Sequence, residues 1–599
     1  MKRTTWVRLV STAVCALLLA GGASRAAPPA VSGVGSAETA AQHDARMAWW
    51  REARFGMFIH WGLFSAAAGE WNGRTVSGHA EWLMNKAQVP VADYARLAAN
   101  FNPVKFDAEA WARLAKDAGM RYVVITTKHH DGFAMFKSVA SPFNIVDATP
   151  FKRDPLKELA AACAKHGLKL GFYYSQSQDW HHRGGAGNSW DPSQQGDYDA
   201  YLDKVAVPQV RELLSNYGPV AILWYDTPRH MIDERARKFL PAHALQPGII
   251  SNNRLSTLFD PNNTAAPGDT ETPEQFIPAN GYPGRDWETC MTMNDSWGFK
   301  KSDHNWKSAE TLLRNLSDIA SKGGNFLLNI GPTSEGVVPP ESVDRLQVMG
   351  AWLKRNGVAI YRTQAGPFPR RLDWGRTTRR LRPDGGTTLY LHVWDWPANG
   401  EILLPGVHAS ATDGRMLVGG VRVTVADSMA GVVVKLPARP PDSPIAVATL
   451  EFPGPITTSQ TMTTVGADGR LTLTPLDAEL FGPDDDKPTI AGSGEMSVLK
   501  VRLGWRALYS FNTPEEGVWA ISAEVSPAAY NRLNVSAPGP FGRSVTSAVQ
   551  AWGRGLGSFT TIELGFIRLP AGINALELKS ELDDPRPLQV RRVWLTPVK

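Results

Sequence analysis

Short apolar runs alternate with amphipathic segments between about residues 45 and 362. The runs are rich in β-branched and aromatic residues, which is typical of buried strands. They are FGMFIHW (55–61), YVVITTK (122–128), LKLGFYYS (168–175), VAILWYD (220–226), GIISNN (248–253), WETCMTM (287–293), NFLLNIG (325–331) and VAIYR (358–362). The pattern predicts eight strands, the last of them from VAIYR.

The segments between these runs carry helix signals. Residues 107–119 repeat apolar positions at helical spacing and stop at Gly119. Residues 154–167 begin with the N-cap candidate Asp154, continue with Pro155 at the first helical position and end at Gly167. Eight strands that alternate with helices over roughly 300 residues indicate a (β/α)₈ TIM barrel, which we place at residues 40–363.

After residue 365 the sequence pattern changes to short strand-like runs separated by turns. GTTLYLHVWDW, GEILLPG and GVVVKLPA predict a β-sandwich domain at 365–455. An acidic stretch rich in proline and glycine, FGPDDDKPTIAGSG (481–494), reads as a linker. Residues 490–599 are again all-β and predict a second sandwich.

The first 26 residues have the pattern of a signal peptide. A basic start precedes an apolar stretch too short to span a membrane, and Ser24-Arg25-Ala26 matches a cleavage site. We therefore expect export to the periplasm or the cell exterior, with no membrane association after cleavage. The formal charge of 63 − 58 = +5 falls to 59 − 58 = +1 without the four basic leader residues, so no basic excess attracts nucleic acid.

Cysteines are few. Cys15 is expected to be removed with the signal peptide. The two remaining cysteines, Cys163 and Cys290, can form at most one disulfide. Cys163 lies on the apolar face of a predicted helix, where we expect a buried free thiol.

Polar and aromatic residues gather at the predicted carboxyl ends of the strands, where TIM barrels place their active sites. These ends are His60-Trp61-Gly62, Lys128-His129-His130-Asp131, Tyr173-Tyr174, Trp224-Tyr225-Asp226, Asn252-Asn253-Arg254 and Asn329-Ile330-Gly331. Aromatic faces combined with convergent polar groups suit a sugar. Asp226 follows a buried strand directly, which favours a nucleophile or base over a simple helix cap.

The adjacent histidines His129 and His130 permit three interpretations: metal ligands, structural loop residues or ligands for sugar hydroxyls. A metal site needs three or four ligands, and no HxH or HExxH motif accompanies the pair. Adjacent residues on a strand point to opposite faces, so both rings reach one ligand only if the chain turns, which Gly132 permits.

Six strings in this order resemble the glycoside hydrolase family 29 α-L-fucosidases: ARFGMFIHWG, EW at 81–82, TTKHHDGF, LWYD, WETCMTMNDSWGF and SKGGNFLLNIGPTSEG. The resemblance covers roughly residues 45 to 365. It implies a retaining exo-α-L-fucosidase that acts on fucosylated oligosaccharides or glycoconjugates without a metal or other cofactor.

The resemblance also implies site residues. Asp226 would be the nucleophile that carries the covalent fucosyl group. The fucose-binding positions would be His60, Glu81, Trp82, His129, His130, Tyr174, Trp224 and Arg254, with Trp297 or Phe299 near the fucose methyl group.

The acid/base residue is less clearly indicated. Glu288, in the WETC string, is the first choice, and Glu274 and Glu271 in ETPEQ are the alternatives. If residues 287–293 form a barrel strand, however, Glu288 lies at the wrong end of that strand for an active site. The sequence leaves this conflict open.

Two further hypotheses compete with the fucosidase: a catalytically inactive fucose-binding barrel and a metal-dependent barrel hydrolase. The last domain resembles the jelly-roll carbohydrate-binding modules of exported glycosidases, although a purely structural domain is also open. Its candidate stacking platforms are Trp505, Tyr509, Trp519, Tyr530 and Trp552. Of these, Trp519 is expected in the core and Trp552 is expected to be exposed. The oligomeric state is not indicated.

Overall fold

The computed structural model describes residues 38–256, 268–282, 284–370, 372–481, 489–491, 498–501, 505–526, 532–537, 549–550, 559–580 and 588–598. The predicted signal peptide lies outside these ranges. Among the described residues, no helix is both long enough and apolar enough to cross a membrane.

The first domain is built around eight parallel strands. They are β1 (Phe55–Ile59), β2 (Tyr122–Lys128), β3 (Lys169–Tyr174), β4 (Ile222–Tyr225), β5 (Ile250–Ser251), β6 (Thr270–Glu271), β7 (Asp286–Thr292) and β8 (Asn325–Ile330). β1 pairs with both β2 and β8, and the pairing continues around to β5 on one side and β6 on the other. A single bridge between Asn252 and Thr270 joins β5 to β6. The result is a nearly closed TIM barrel.

The last two predicted strands need correction. WETCMTM contributes the seventh strand, not the sixth, because the two-residue β6 precedes it. VAIYR is not a strand: Gly357–Ala359 form a 3₁₀ turn. β6 was missed because two residues are too short to show a periodic pattern.

Helices cover the outside of the barrel. The α-helices are Ala40–Ala53, Phe64–Ala67, Leu83–Lys86, Val91–Ala95, Ala108–Asp117, Ile145–Ala148, Pro155–His166, Tyr198–Tyr201, Val207–Asn216, Asp233–Arg237, Leu240–His243, Ala309–Ser321 and Pro340–Asn356. Short 3₁₀ turns at Ala80–Trp82, Arg96–Asn100 and Pro192–Gln194, and a π-helical turn at Leu202–Ala206, complete the helical part of this domain.

The helix Pro155–His166 shows how local sequence sets these elements. The Asp154 side chain accepts hydrogen bonds from the backbone N–H groups of Leu156 and Lys157, and Gly167 ends the helix in the left-handed conformation. Cys163 on this helix is a buried free thiol, as expected, and Cys290 is also free and buried.

The second domain packs two antiparallel sheets around one apolar core. One sheet contains Gln364–Ala365, Gly375–Leu381, Thr387–Val393, Ala446–Phe452 and Asp413–Met416, and the other contains Glu401–Pro405, Gly431–Lys435 and Thr424–Ser428. It is a β-sandwich.

The third domain is a second sandwich with its own core. One sheet contains Leu471–Leu473, Thr489–Ala491, Val498–Val501, Gly517–Ser526, Thr560–Leu569 and Leu588–Pro597. The other contains Ala478–Phe481, Arg506–Thr513, Arg532–Ser536, Val549–Gln550 and Gly572–Ser580. Two of these strands precede residue 490, so this sandwich begins earlier in the chain than the sequence pattern predicted.

Three of the proposed stacking platforms do not face solvent. Trp505, Tyr509 and Trp519 are buried in the core of the third domain. Tyr530 and Trp552 lie outside the described residues. These three residues therefore pack in the core of the domain, and none of them is available to stack on a sugar.

A buried cluster of charges joins the three domains. Arg376 of the first sandwich donates to Asp318 of the barrel at 2.7 Å and contacts Glu479 of the second sandwich at 3.3 Å. Lys322 contacts the same Glu479 at 3.1 Å. Each charge has an oppositely charged partner, as burial of charges requires.

Candidate active site

Asp226 lies directly after β4, at the carboxyl end of the barrel. Its Oδ2 accepts a hydrogen bond from the Tyr173 hydroxyl at 2.8 Å, and its Oδ1 accepts one from Arg254 Nη1, also at 2.8 Å. Burial opposes ionisation of Asp226, but Arg254, His130 and the Tyr173 hydroxyl outweigh it and lower the pKa of this carboxyl. The group is therefore an anion held in a fixed orientation, as a nucleophile requires.

A continuous row of rings lines the pocket beside Asp226. Trp297 contacts His60 with ring centroids 4.9 Å apart, and His60 contacts His129 at 5.7 Å. The His129 ring stacks on Tyr173 at 5.4 Å, and Tyr173 stacks on Trp224 at 5.6 Å. The structure thus brings four of the predicted binding residues into one wall.

His60 presents a lone pair to this pocket. Asn329 donates from Nδ2 to the Trp297 carbonyl at 2.7 Å, so its Oδ1 faces His60 Nδ1, also at 2.7 Å. His60 Nδ1 must then carry the proton, which leaves Nε2 as an acceptor. Burial lowers the pKa of His60 to about 3, so the ring is neutral at physiological pH.

His130 is arranged in the same way. Ser175 Oγ donates to the Gln178 carbonyl at 2.8 Å and therefore accepts from His130 Nδ1 at 2.7 Å. His130 Nε2 then accepts from Gln178 Nε2 at 3.3 Å and lies 3.5 Å from Asp226 Oδ2. Burial lowers the pKa of His130 to about 4, so this ring is also neutral at physiological pH.

The other predicted binding residues close the pocket. Glu81 is buried and accepts from the Gly298 N–H at 2.9 Å through Oε2, and its Oε1 has no partner among the described residues. Burial raises the pKa of Glu81. Trp82 packs edge-on against His130 at 5.2 Å. Phe299 is partly buried in the same loop as Trp297.

A glycine turn brings both histidines to the site. Gly132 has φ +79°, and a Cβ at this position would lie 2.4 Å from Asp179 Oδ1. Asp179 is buried and receives a hydrogen bond from Lys128 Nζ at 2.8 Å. This pair fixes the loop behind the histidines, and Trp180 N–H adds a bond to the His130 carbonyl at 2.7 Å.

The structure corrects one binding residue. Tyr174 points away from the pocket and donates its hydroxyl hydrogen to Gln209 at 2.8 Å. Its neighbour Tyr173 faces the barrel interior and contacts Asp226. The register pairs Tyr173 with Trp224, which lies two residues before Asp226 and so shares its face. That alternation was the signal by which Tyr173 could have been found.

Glu288 lies at the opposite end of the barrel from Asp226. It pairs in register with Asn325, the first residue of β8, and accepts a hydrogen bond from the hydroxyl of Tyr122, the first residue of β2. Burial raises its pKa to about 7. Glu288 therefore lies in the amino-terminal floor of the barrel, away from Asp226, as its place at the start of a predicted strand indicated.

Of the two alternatives, only Glu274 lies beside Asp226. Arg254 Nη1 donates to Glu274 Oε2 at 2.9 Å as well as to Asp226. Glu274 is partly open to solvent, with 41% of its side chain exposed. Glu271, in contrast, is buried and bound by Asn253 and Arg285.

Thr272 holds Arg254 in the position from which it bridges Asp226 and Glu274. Its Nε donates to Thr272 Oγ1 and its Nη2 donates to the Thr272 carbonyl, both at 2.9 Å. Its guanidinium also lies over the Trp224 ring, 4.7 Å from the centroid. Sequence reasoning placed Arg254 near the sugar but did not find its contact with both carboxylates, because that contact depends on closure of the barrel.

His129, His130 and Asp226 also have the geometry of a candidate metal site. One ligand atom from each lies within 4.8 Å of the others. A cation there would approach the Arg254 guanidinium, which already donates to Asp226. The residues present match a hydroxylated ligand better than a metal ion, because the positive charge next to Asp226 is already supplied.

Comparison with known proteins points to the same family. A family model described as α-L-fucosidase matches residues 31–358. The tissue α-L-fucosidase of Macaca fascicularis is 30% identical over 423 residues, which cover 66% of this chain and 86% of the relative.

Solved structures extend the similarity. An α-L-fucosidase from Vibrio sp. strain EJY3 is 28% identical, with a TM-score of 0.66 over 94% of this chain and 98% of its own. A family 29 enzyme from Bacteroides thetaiotaomicron, solved as a trapped covalent intermediate, is 29% identical with a TM-score of 0.62, covering 71% of this chain and 99% of its own. The barrel, its pocket and the similarity to these relatives agree. They show that the chain belongs to the α-L-fucosidases of glycoside hydrolase family 29.

Proposed function

We propose that the protein is a retaining exo-α-L-fucosidase in which Asp226 is the nucleophile and Glu274 is the acid/base residue. One observation carries this proposal: both carboxylates accept from the same nitrogen of Arg254, at 2.8 and 2.9 Å. Their two bound oxygens can therefore lie no farther apart than the sum of these distances. Retaining glycosidases hold their carboxyl groups about 5–5.5 Å apart, whereas inverting enzymes need more room for a water molecule.

The reaction then proceeds in two steps. Asp226 Oδ attacks the anomeric carbon and displaces the leaving-group oxygen, which takes the proton of Glu274. Water then attacks the fucosyl-enzyme ester while Glu274 accepts a proton from it, which releases fucose and restores both residues. His60 Nε2 accepts a hydrogen bond from a ring hydroxyl, His130 lies beside the ring, and the Trp297 face suits the methyl group that replaces the hydroxymethyl of other hexoses.

The substrates are terminal α-L-fucosides of oligosaccharides or glycoconjugates. The pattern at residues 1–26 supports export to the periplasm or the cell exterior. The described aromatic residues support a structural role for the third domain.

The test of this proposal is Asp226→Ala. Turnover should fall by several orders of magnitude in a protein that still folds. Azide should restore part of the activity and give a β-fucosyl azide, because the shortened side chain leaves room for attack. Near-normal turnover in the folded variant would exclude Asp226 as nucleophile, and binding of fucose without any turnover by the wild type would support the inactive barrel instead.

The histidine–aspartate cluster supports one competing function, a metal-dependent hydrolase. Dialysis against a strong chelator separates the two. A fucosidase of the proposed type keeps its full turnover after dialysis, whereas a metal-dependent enzyme loses turnover and regains it when a divalent ion is added.

A further inference from the structure

Four consecutive polar side chains after β3 are fully buried. They belong to residues 175–178, with the sequence SQSQ. Burial of polar side chains is costly unless hydrogen bonds compensate for the lost contact with water. Ser175 and Gln178 contact the two ring nitrogens of His130, at 2.7 and 3.3 Å. The side chain of Gln176 reaches in another direction, to the ends of the next two strands.

The amide of Gln176 joins two backbones of the active site. Its Oε1 accepts a hydrogen bond from the Asp226 N–H at 3.1 Å, and its Nε2 donates to the Arg254 carbonyl at 2.7 Å. A backbone N–H only donates and a carbonyl only accepts, so these two partners fix the orientation of the amide. Because Asp226 follows β4 and Arg254 follows β5, one side chain links the carboxyl ends of three adjacent strands.

The backbone of Gln176 is itself anchored to the barrel. The Tyr201 hydroxyl donates to the Gln176 carbonyl at 3.2 Å, and Lys128 Nζ donates to the Tyr201 hydroxyl at 2.8 Å. Both side chains are buried, and Lys128 is the last residue of β2. The amide therefore acts from a fixed base.

The chain at the nucleophile is held in an unfavourable conformation. Thr227 has φ +42°, which a β-branched residue rarely adopts, and its N–H donates to Asp226 Oδ1 at 2.8 Å. Such a conformation persists only where the surroundings hold it. The hydrogen bond between Gln176 and the Asp226 N–H fixes the residue directly before the strained one.

Arg254 is likewise held at both of its ends. Thr272 binds the guanidinium group, and Gln176 binds the backbone carbonyl. The contact of 2.8 Å between Arg254 Nη1 and Asp226 Oδ1 thus joins two side chains whose main chains share one amide.

We infer that Gln176 is a positioning residue whose amide holds the backbones of Asp226 and Arg254 at the separation that attack on the anomeric carbon requires. The inference rests on the proposed function, which makes Asp226 the nucleophile. Gln176 acts through these two residues and needs no contact with the sugar.

The test is Gln176→Met, which keeps a side chain of similar length but removes both hydrogen bonds. Because misplacement by about 1 Å can cost 10²-fold, kcat/KM should fall by roughly 10- to 100-fold. The fall should appear with 2,4-dinitrophenyl fucoside as well as with alkyl fucosides, because attack by Asp226 is needed whatever the leaving group.

Binding of the sugar should change little in the same variant. Among the described contacts, Gln176 forms no hydrogen bond with His60, His129 or Trp297, which line the sugar pocket. The inhibition constant of free fucose should therefore stay within about twofold of the wild type while kcat/KM falls, since the lost interaction acts in the transition state.

Gln209→Met is the matched control. Gln209 is also fully buried and also forms two side-chain hydrogen bonds, with the Tyr174 hydroxyl at 2.8 Å and Ser138 Oγ at 3.1 Å. Neither partner lies in the pocket. This variant should lose thermal stability as Gln176→Met does, but its kcat/KM per folded molecule should equal that of the wild type.

Wild-type kcat/KM in folded Gln176→Met, or an equal fall in Gln209→Met, overturns the inference. A fall confined to alkyl fucosides also overturns it, since the defect would then lie in proton donation alone. If Gln176→Met does not fold, Gln176→Asn is measured instead, because its shorter amide cannot span both backbone groups. Asp226→Ala is measured alongside: near-normal turnover in that variant refutes the proposed function, and not the role of Gln176 alone.

Discussion

The Tyr173 hydroxyl donates a 2.8 Å hydrogen bond to Oδ2 of Asp226, which lies directly after the strand that pairs with the strand of Tyr173. Hydrogen bonds to charged groups contribute about 1.5–3 kcal/mol, so Tyr173→Phe should lower kcat/KM by roughly 10- to 100-fold. The pKa of Asp226 should rise, because one of the contacts that lower it is lost. The acidic limb of the kcat/KM profile should therefore move to higher pH.

Tyr174→Phe is the control for this change. Its hydroxyl contacts Gln209 outside the pocket, so turnover per folded molecule should match the wild type. If Tyr174→Phe shifts the pH profile and Tyr173→Phe does not, the assignment of the two tyrosines is reversed.

The roles of Glu271, Glu274 and Glu288 can be distinguished by how the activity of each alanine variant depends on the leaving group. Removing an acid catalyst costs about 10²- to 10⁴-fold where the leaving group needs a proton, and much less where it does not. Glu274→Ala should therefore lose most of its activity on alkyl fucosides and retain most of it on 2,4-dinitrophenyl fucoside. Steady-state kinetics with Glu271→Ala and Glu288→Ala should show no such dependence; finding it in either of them instead of Glu274→Ala refutes the assignment.

Glu288 should control stability, not catalysis. Burial raises its pKa to about 7, above the ordinary value of 4.5, so folding favours the protonated form. Its contribution is fully present below about pH 4.5 and is lost as the pH rises through 7, with a limit on the order of 3 kcal/mol. Glu288→Gln keeps an acceptor for Tyr122 and has no charge to bury.

Thermal unfolding followed from pH 5 to 8 checks this expectation. The melting temperature of Glu288→Gln relative to the wild type should increase with pH. A difference between the two proteins that stays constant across this range would show that folding does not raise the pKa of Glu288.

Gly132→Ala should disturb the histidine turn. The added methyl group would approach Asp179 at 2.4 Å, and φ +79° is unfavourable for alanine. Because misplacement of catalytic groups by about 1 Å can cost 10²-fold, kcat/KM should fall by roughly tenfold or more.

Gly167→Ala provides the comparison. Gly167 also has positive φ, at +68°, but no heavy atom lies within 4 Å of its Cβ position. It should cost about 1–2 kcal/mol of stability, because alanine disfavours the left-handed conformation, and leave kcat/KM unchanged. Equal kinetics in the two alanine variants would contradict the role given to Gly132.

The sequence predicted the barrel because the first five strands and the helix 155–166 carry strong local signals. Buried runs, the cap at Asp154 and the stop at Gly167 each depend on neighbouring residues alone. β6 could not be predicted because its two residues are too few to show a periodic pattern, and only their pairing with β7 makes them a strand. The second sandwich likewise begins before its apparent linker, since Ala478–Phe481 pairs with a strand beyond that linker.

The positions of the motif residues at the strand ends could be predicted from the sequence, whereas contacts that depend on the face of a strand or on strand register could not. His129, His130 and Asp226 follow from the strand ends. The choice of Tyr173 over Tyr174 requires the face of β3, and the pairing of Glu274 with Asp226 through Arg254 requires the position of β6. The sequence alone already indicated that Glu288 was a doubtful acid/base residue. Its position at the start of a predicted strand depends only on neighbouring residues, and active sites lie at the other ends of barrel strands.

The most direct test of the central claim is to locate the covalent intermediate. The enzyme is incubated with 2-fluoro-fucosyl fluoride, digested, and its peptides are sequenced by mass spectrometry. We predict a single 2-fluoro-fucosyl group on Asp226, accumulating because the fluorine slows hydrolysis of the ester. A label on a different carboxylate, or an enzyme that turns over fucosides while never forming an adduct, would contradict the account.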